Sequence, residues 1–379
     1  MADIHGTSED RFEVLGDLLS GSIDAGDDLG ASVSVTVGGE TVVDIWGGWT
    51  DEARTVPWAA DTITNVWSTT KTMTSLSALV LAERGELNVH AQVADYWPEF
   101  AANGKQDIEV RHLMSHTSGV SGWEQPVQVE DMYDWEKSTS MLAAQAPWWE
   151  PGTASGYHAL NQGHLVGEVI RRITGRSMGQ FFAEEVAGPL GADFHIGLDP
   201  SHDHRVSNVV PPPSMPVALG ELDPDSPAVK TMTGPAPSAE LAWTEGWRRA
   251  EIGAANGHGN ARGVARIQAI VANGGEVDGV RLLSPKTIDL IFEEQARGID
   301  VVLGTHNRFG IGYALADLEA RDYLPEGRIC YWGGWGGSMI IVDTERRMTI
   351  AYMMNKMQPG TGGDVRGEAL VRAAYGVVG

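Results

Sequence analysis

A chain of 379 residues is long enough to bury a large core in one split domain or in two lobes. Its formal net charge of −24 offers nothing to neutralise phosphates, which argues against nucleic acid and against anionic lipid surfaces as partners. A single cysteine, Cys330, rules out an intrachain disulfide; in the apolar run Arg-Ile-Cys-Tyr-Trp it reads as a small buried hydrophobe. The acidic start, Met-Ala-Asp-Ile-His-Gly, has neither a basic leader nor an apolar one. No run approaches the roughly 18 apolar residues of a membrane span, so the expected location is the cytoplasm.

In chain order, Arg11 to Ala25 has helical spacing, with Phe12, Leu15, Leu18 and Leu19 on one side. Ala31 to Val37 and Thr41 to Trp46 alternate as strands and join through Gly38-Gly39, a hairpin signal. A long helix is expected from about Ser68 to a C′ glycine at Gly85. Further helical patterns cover His158 to Thr174, Met178 to Ala187, Ala261 to Asn273 and Pro285 to Glu294. Residues 200–237 hold nine of the eighteen prolines with almost no periodicity, and read as one long loop overhanging the cleft. Strands return at Phe309 to Leu315, Arg328 to Trp332, Ser338 to Val342 and Met348 to Met353, before a last helix from Val365 to Tyr375.

Consecutive strands joined by short turns imply an antiparallel sheet rather than alternating βαβ units. The expected fold is therefore α/β in the α+β sense, an antiparallel sheet flanked by helices. The two ends, residues 1–66 and 300–379, should pair into one split lobe around a mostly helical lobe, 67–299.

The strongest chemical signal is Trp67-Ser68-Thr69-Thr70-Lys71 ahead of an apolar helix. Residues three apart share a helix face, with about 5–6 Å between β-carbons, which sets an amine beside the hydroxyl it must activate. A helix N-terminus adds free N–H groups and positive dipole where an oxyanion would form. Downstream, Gly156-Tyr157-His158 offers a phenol able to shuttle a proton. A third segment, Tyr331-Trp332-Gly333-Gly334-Trp335-Gly336-Gly337-Ser338, sets glycines among aromatics at a strand edge, where a substrate can approach the backbone closely. Each segment alone has a plain structural reading: a chance tetrad, a half-buried tyrosine, a glycine-rich turn.

These three segments, in this order, resemble the group formed by class C β-lactamases and family VIII carboxylesterases. So do the flanking phrases Leu113-Met114-Ser115-His116-Thr117-Ser118-Gly119 and Gly85-Glu86-Leu87-Asn88, and Asn260-Ala261-Arg262 leading to Ala272-Asn273-Gly274-Gly275. The resemblance implies a β-lactamase-like fold, with Ser68 as nucleophile, Lys71 as general base and Tyr157 as second base. It also implies an oxyanion hole made by the N–H groups of Ser68 and Trp335. Trp332-Gly333-Gly334 would occupy the place of the lactamases' Lys-Thr-Gly.

Two positions depart from the lactamase pattern. Ala159 stands where those enzymes carry an asparagine, and Trp332 where they carry a lysine. Both changes remove groups that would hold a β-lactam amide or carboxylate, and so favour neutral esters. The expected function is a serine esterase; a β-lactamase, amidase, peptidase or acyltransferase shares the same machinery, and a non-catalytic binding protein remains a third reading. Trp148 and Trp149 are expected to line the cleft near Tyr157, and His116 to hold a turn through its ring nitrogens. His202-Asp203-His204 with His195 lacks a ligand spacing, and Gly310-Ile-Gly312 lacks a strand-turn-helix unit, so neither metal nor cofactor is expected.

Overall fold

The hairpin expected around Gly38-Gly39 forms the start of a nine-stranded antiparallel sheet in the computed structural model, which describes residues 1–214 and 222–379. From the N-terminal end come β1 (Ile4–Ser8), β2 (Gly30–Val37) and β3 (Glu40–Gly48). From the C-terminal end come β4 (Ala296–Ile299), β5 (His306–Phe309), β6 (Ala314–Leu315), β7 (Ile329–Gly333), β8 (Met339–Asp343) and β9 (Met348–Met354). The spatial order is β1-β3-β2-β9-β8-β7-β6-β5-β4, so the chain ends meet where β2 pairs with β9, Val33 opposite Tyr352.

Helices cover both faces of this sheet. On β2 the alternation is Ser32, Ser34 and Thr36 against Val33 and Val35, and all five are buried. The small polar row meets α5 (Ala261–Ala272): Ser32 Oγ accepts the Ala261 N–H at 3.1 Å, and Thr349 Oγ1 donates to the Ala265 carbonyl at 3.4 Å. This helix falls within 67–299, the span read as the helical lobe, yet it packs on β2, β8 and β9. The other face receives α1 (Glu13–Ala25) and α6 (Val365–Val378), where Tyr352 Oη donates to Asp28 and Arg366 bridges Asp28 and Asp364.

Between the two strand groups along the chain comes α2 (Lys71–Glu83), buried on every side from Lys71 to Leu81, beside α3 (Gln162–Thr174). Of its buried hydroxyls, Thr74 donates to the Gly253 carbonyl at 2.6 Å and Ser77 to the Met73 carbonyl at 2.9 Å, while Ser75 Oγ has no partner among the described residues.

Several expectations change. The run from Phe309 to Leu315 is two strands rather than one, because Gly312 at φ 84 turns the chain between β5 and β6. The helix expected from His158 begins only at Gln162. The proline-rich stretch is not a featureless loop. It holds a 3-10 helix at Pro200–Arg205, a strand at Val206–Ser207 paired with Ile63–Asn65, and α4 (Pro227–Thr233). Both helices start on a proline behind a capping side chain: Asp199 accepts the Ser201 N–H at 2.9 Å and Ser226 the Val229 N–H at 3.3 Å. Residues 215–221 of the stretch lie outside the described residues. Two ion pairs tie its 3-10 helix to neighbouring segments, Arg205 with Asp193 and Asp203 with Arg249.

Candidate active site

Ser68 sits in a 3-10 turn, Trp67–Thr70, and α2 starts at Lys71. The turn is entered through Trp67 at φ 48, a left-handed conformation rare for a bulky residue and worth roughly 1–3 kcal/mol of strain. The surroundings over-determine it. The Trp67 ring lies 5.5 Å from that of Trp247 and 4.9 Å from that of Trp335. Thr70 Oγ1 donates to the Trp67 carbonyl at 2.5 Å and accepts the Gly257 N–H at 2.9 Å. Ser338 Oγ gives its proton to the Val66 carbonyl at 2.7 Å, so Thr69 donates to Ser338 at 2.9 Å. The turn is thereby tied to the connection between β7 and β8.

Two groups converge on Ser68 Oγ, Lys71 Nζ at 3.1 Å and Tyr157 Oη at 2.6 Å. Lys71 Nζ also donates to the carbonyls of Ala159 at 2.8 Å and Ala254 at 2.9 Å. Its side chain is fully buried, and among the described residues it forms no ion pair, so desolvation holds its pKa well below that of a free lysine. Burial pushes the Tyr157 phenol up to about 12, against a smaller opposing pull from its hydrogen bond to Ser68. A neutral amine and a neutral phenol are the favoured forms: two amine N–H groups meet the two carbonyls, and its lone pair faces the serine hydroxyl.

Tyr157 lies on extended chain ahead of α3. Its N–H donates to Asp300 Oδ1 at 3.0 Å, which also accepts the N–H groups of Val302 and Leu303, both at 2.9 Å. Nothing in the local sequence pointed to Asp300. His116, at φ 63, accepts the His158 N–H at Nδ1, 3.0 Å, and its carbonyl accepts the Gly156 N–H at 2.8 Å. One ring nitrogen rather than both therefore fixes the segment; Nε2 has no partner among the described residues. The imidazole lies 5.1 Å from the Tyr157 ring and 5.3 Å from Trp332, and burial holds it neutral.

The glycine-rich segment closes the site. Trp332 stacks on Tyr157 with ring centroids 6.3 Å apart. A β-carbon on Gly334 would stand 2.3 Å from the Val66 carbonyl and 3.3 Å from Ser68 N; one on Gly333 would stand 2.5 Å from the Gly362 carbonyl carbon. Only glycine lets this strand end lie against the Ser68 turn. A pocket of about 510 Å³ opens on Ser68, walled by Trp67, Leu160, Thr231, Met232, Pro237 and Trp335, and among the described residues no charged side chain lines it.

A serine with a buried lysine and a tyrosine on its hydroxyl, beside a glycine-opened antiparallel strand, is the arrangement against which known proteins can be compared. Residues 18–375 match the family model described as Beta-lactamase. The chain belongs to that family. A solved family VIII carboxylesterase shares 42% identity with a TM-score of 0.93, covering 99% of this chain and 100% of its own. A penicillin-binding protein homolog from Caulobacter crescentus has 37% identity and a TM-score of 0.93, covering 99% of this chain and 100% of its own. The "Esterase/beta-lactamase LipL" of Mycobacterium tuberculosis is 35% identical over 86% of this chain and 77% of its own. With such relatives along its length, this member of the β-lactamase family is a serine hydrolase of the carboxylesterase type.

Within this β-lactamase-family site, two expected lining residues stand elsewhere. Trp148 packs against Gly122 and donates to Glu124 at 2.8 Å; Trp149 packs against Gly156 and donates to the Ala154 carbonyl at 3.1 Å. Neither is part of the lining of the Ser68 pocket. Sequence reasoning instead missed Thr231, Met232 and Pro237 as pocket walls, because a proline-rich stretch carries no periodicity to show which side chains face inward. Among the described residues, no helix is long and apolar enough to cross a membrane.

Proposed function

We propose that this hydrolase cleaves small neutral carboxylic esters through an acyl-enzyme on Ser68. The observation that carries the reading is the joint approach of Lys71 Nζ and Tyr157 Oη to Ser68 Oγ, the lysine buried without a counter-ion among the described residues. In acylation Ser68 Oγ attacks the ester carbonyl as its proton passes to the neutral Lys71 amine. Negative charge develops on the carbonyl oxygen, where the N–H groups of Ser68 and Trp335 receive it. The Gly334 N–H is already spent on the Ser338 carbonyl at 2.8 Å, which leaves the next N–H along the chain for this role.

Collapse of the tetrahedral intermediate expels the alcohol, which takes its proton from Tyr157, and the proton held by Lys71 returns to the tyrosinate. A water then attacks the acyl-enzyme and gives a proton to the same pair, which passes it to Ser68 Oγ as the carboxylic acid is released. Tyr157 thus enters the cycle as a proton donor, since burial keeps its phenol protonated; its part as a base is confined to the return transfer.

The lining of the Ser68 pocket, uncharged among the described residues, and the apolar Trp332 and Ala159 support a neutral reacting ester over a β-lactam. Steady-state kinetics test this. Turnover of p-nitrophenyl acetate should exceed that of a penicillin or cephalosporin in kcat/KM by at least about 10²-fold, and Ser68→Ala should abolish it. A higher kcat/KM for the β-lactam would reverse the substrate assignment.

A further inference from the structure

A second pocket of about 420 Å³ adjoins the first, and Tyr157 and Thr361 line both. Its character is different. Where the Ser68 pocket has no charged group among the described residues, this one contains the guanidinium of Arg321, together with Asn307, Thr305 and Tyr331. Among the described residues Arg321 forms no ion pair. One nitrogen, Nη1, donates to the carbonyl of Ala320 at 2.7 Å, and the group stands over the Tyr331 ring, 5.9 Å from its centroid. A β-carbon on Gly362 would fall 2.3 Å from Nη2, so a glycine there leaves room for the guanidinium against the loop that carries Thr361. Tyr331, 3% exposed, has a phenol oxygen with no hydrogen-bond partner.

An unpaired arginine is unusual in a chain of net charge −24, where 51 acidic residues face 27 basic ones. Such a surface repels anions at long range, so an anionic group gains most where a local cation is partly withdrawn from solvent. A guanidinium is also suited to the two oxygens of a carboxylate, which it can bind side by side.

We propose that this second pocket is a carboxylate subsite: the substrate carries its reacting ester at Ser68 and a carboxylate at its far end on Arg321. The proposal rests on the esterase reading and narrows it to esters neutral at the reacting bond and anionic at a remote position. It adds a cation to a site whose first pocket offers none.

Two matched pairs test it and show which arm of the ester enters the pocket. For the acyl arm, mono-p-nitrophenyl glutarate is compared with p-nitrophenyl valerate; for the alcohol arm, 4-acetoxybenzoate is compared with 4-methylphenyl acetate. In one pair the wild-type protein should favour the anionic ester in kcat/KM by at least about tenfold. Arg321→Gln should remove that preference, Arg321→Lys should keep part of it, and p-nitrophenyl acetate should be turned over equally by all three proteins. A wild-type protein that hydrolyses p-nitrophenyl acetate but favours the neutral ester in both pairs overturns the subsite and leaves the esterase reading standing. So does an anion preference that Arg321→Gln leaves intact. No hydrolysis of any ester would overturn the esterase reading itself.

Discussion

Lys71 spends its hydrogen-bonding capacity on two backbone carbonyls and one hydroxyl, with no carboxylate among the described residues to favour its charged form. The departure at Ala159 has a different meaning in this light: the methyl side chain cannot hold the lysine, but the carbonyl of the same residue does. From the sequence, the spacing of Ser68 and Lys71 and the candidacy of Tyr157 were legible, because a local motif records them. Asp300 was not, since it reaches Tyr157 across 143 positions of chain and a single acidic residue has no pattern. The pH dependence follows from the two shifts. An ammonium has no lone pair, so kcat/KM should fall as pH drops through the lowered Lys71 pKa and level off above it. The phenol, raised to about 12, adds no descending limb below about pH 10. Lys71→Arg stays charged and Lys71→Ala has no base, so each should lower kcat by about 10²–10⁴-fold at every pH. A pH–rate profile with a descending limb near neutrality would assign the proton donor to a group other than Tyr157.

Elements read from strong periodicity stand close to where the sequence put them: the β2–β3 hairpin, α5, and the strands from Ile329 to Met354. Elements that periodicity does not mark were missed. β1 is a polar edge strand with four of its five residues exposed, so it has no apolar alternation to find. The helix at Pro227–Thr233 was hidden by the prolines around it, although Ser226-Pro227 is itself a start signal. That helix sets Thr231 and Met232 in the pocket wall, with Thr231 Oγ1 held 2.6 Å from Ser121 Oγ. Part of the proline-rich stretch therefore borders the cleft, and it does so as a helix. Met232→Ala should enlarge the pocket and raise kcat/KM for hexanoate relative to acetate esters by about tenfold, the scale of a methylene or two in an apolar pocket. An unchanged chain-length profile in the folded variant would place the acyl group outside this wall.

Across the whole molecule, the sheet joins the chain's two ends, and the turn between β7 and β8 meets the 3-10 turn that carries Ser68 through Ser338 and Thr69. Order along the chain made the pairing of the ends legible. Which helix belonged to which layer was not, because α5 meets the sheet through small side chains that a sequence pattern does not assign to a partner. The fold also buries four imidazoles. Burial lowers the pKa of His158 and His258 to about 3 and of His164 to about 4, and lowers that of His116 as well. Below their ordinary value of 6.5 the unfolded chain binds protons that the folded one refuses, so stability falls as pH drops from there toward 4. The midpoint of urea unfolding should decline across that interval; a constant midpoint would mean that these rings are protonated in the folded protein. The central claim, a covalent acyl-enzyme on Ser68, is tested most directly by the mass of the protein quenched in acid during turnover of p-nitrophenyl acetate. The account predicts one acetyl group, located on the peptide containing Ser68 and absent from Ser68→Ala. An acetyl group on another residue, or undiminished turnover by folded Ser68→Ala, would contradict it.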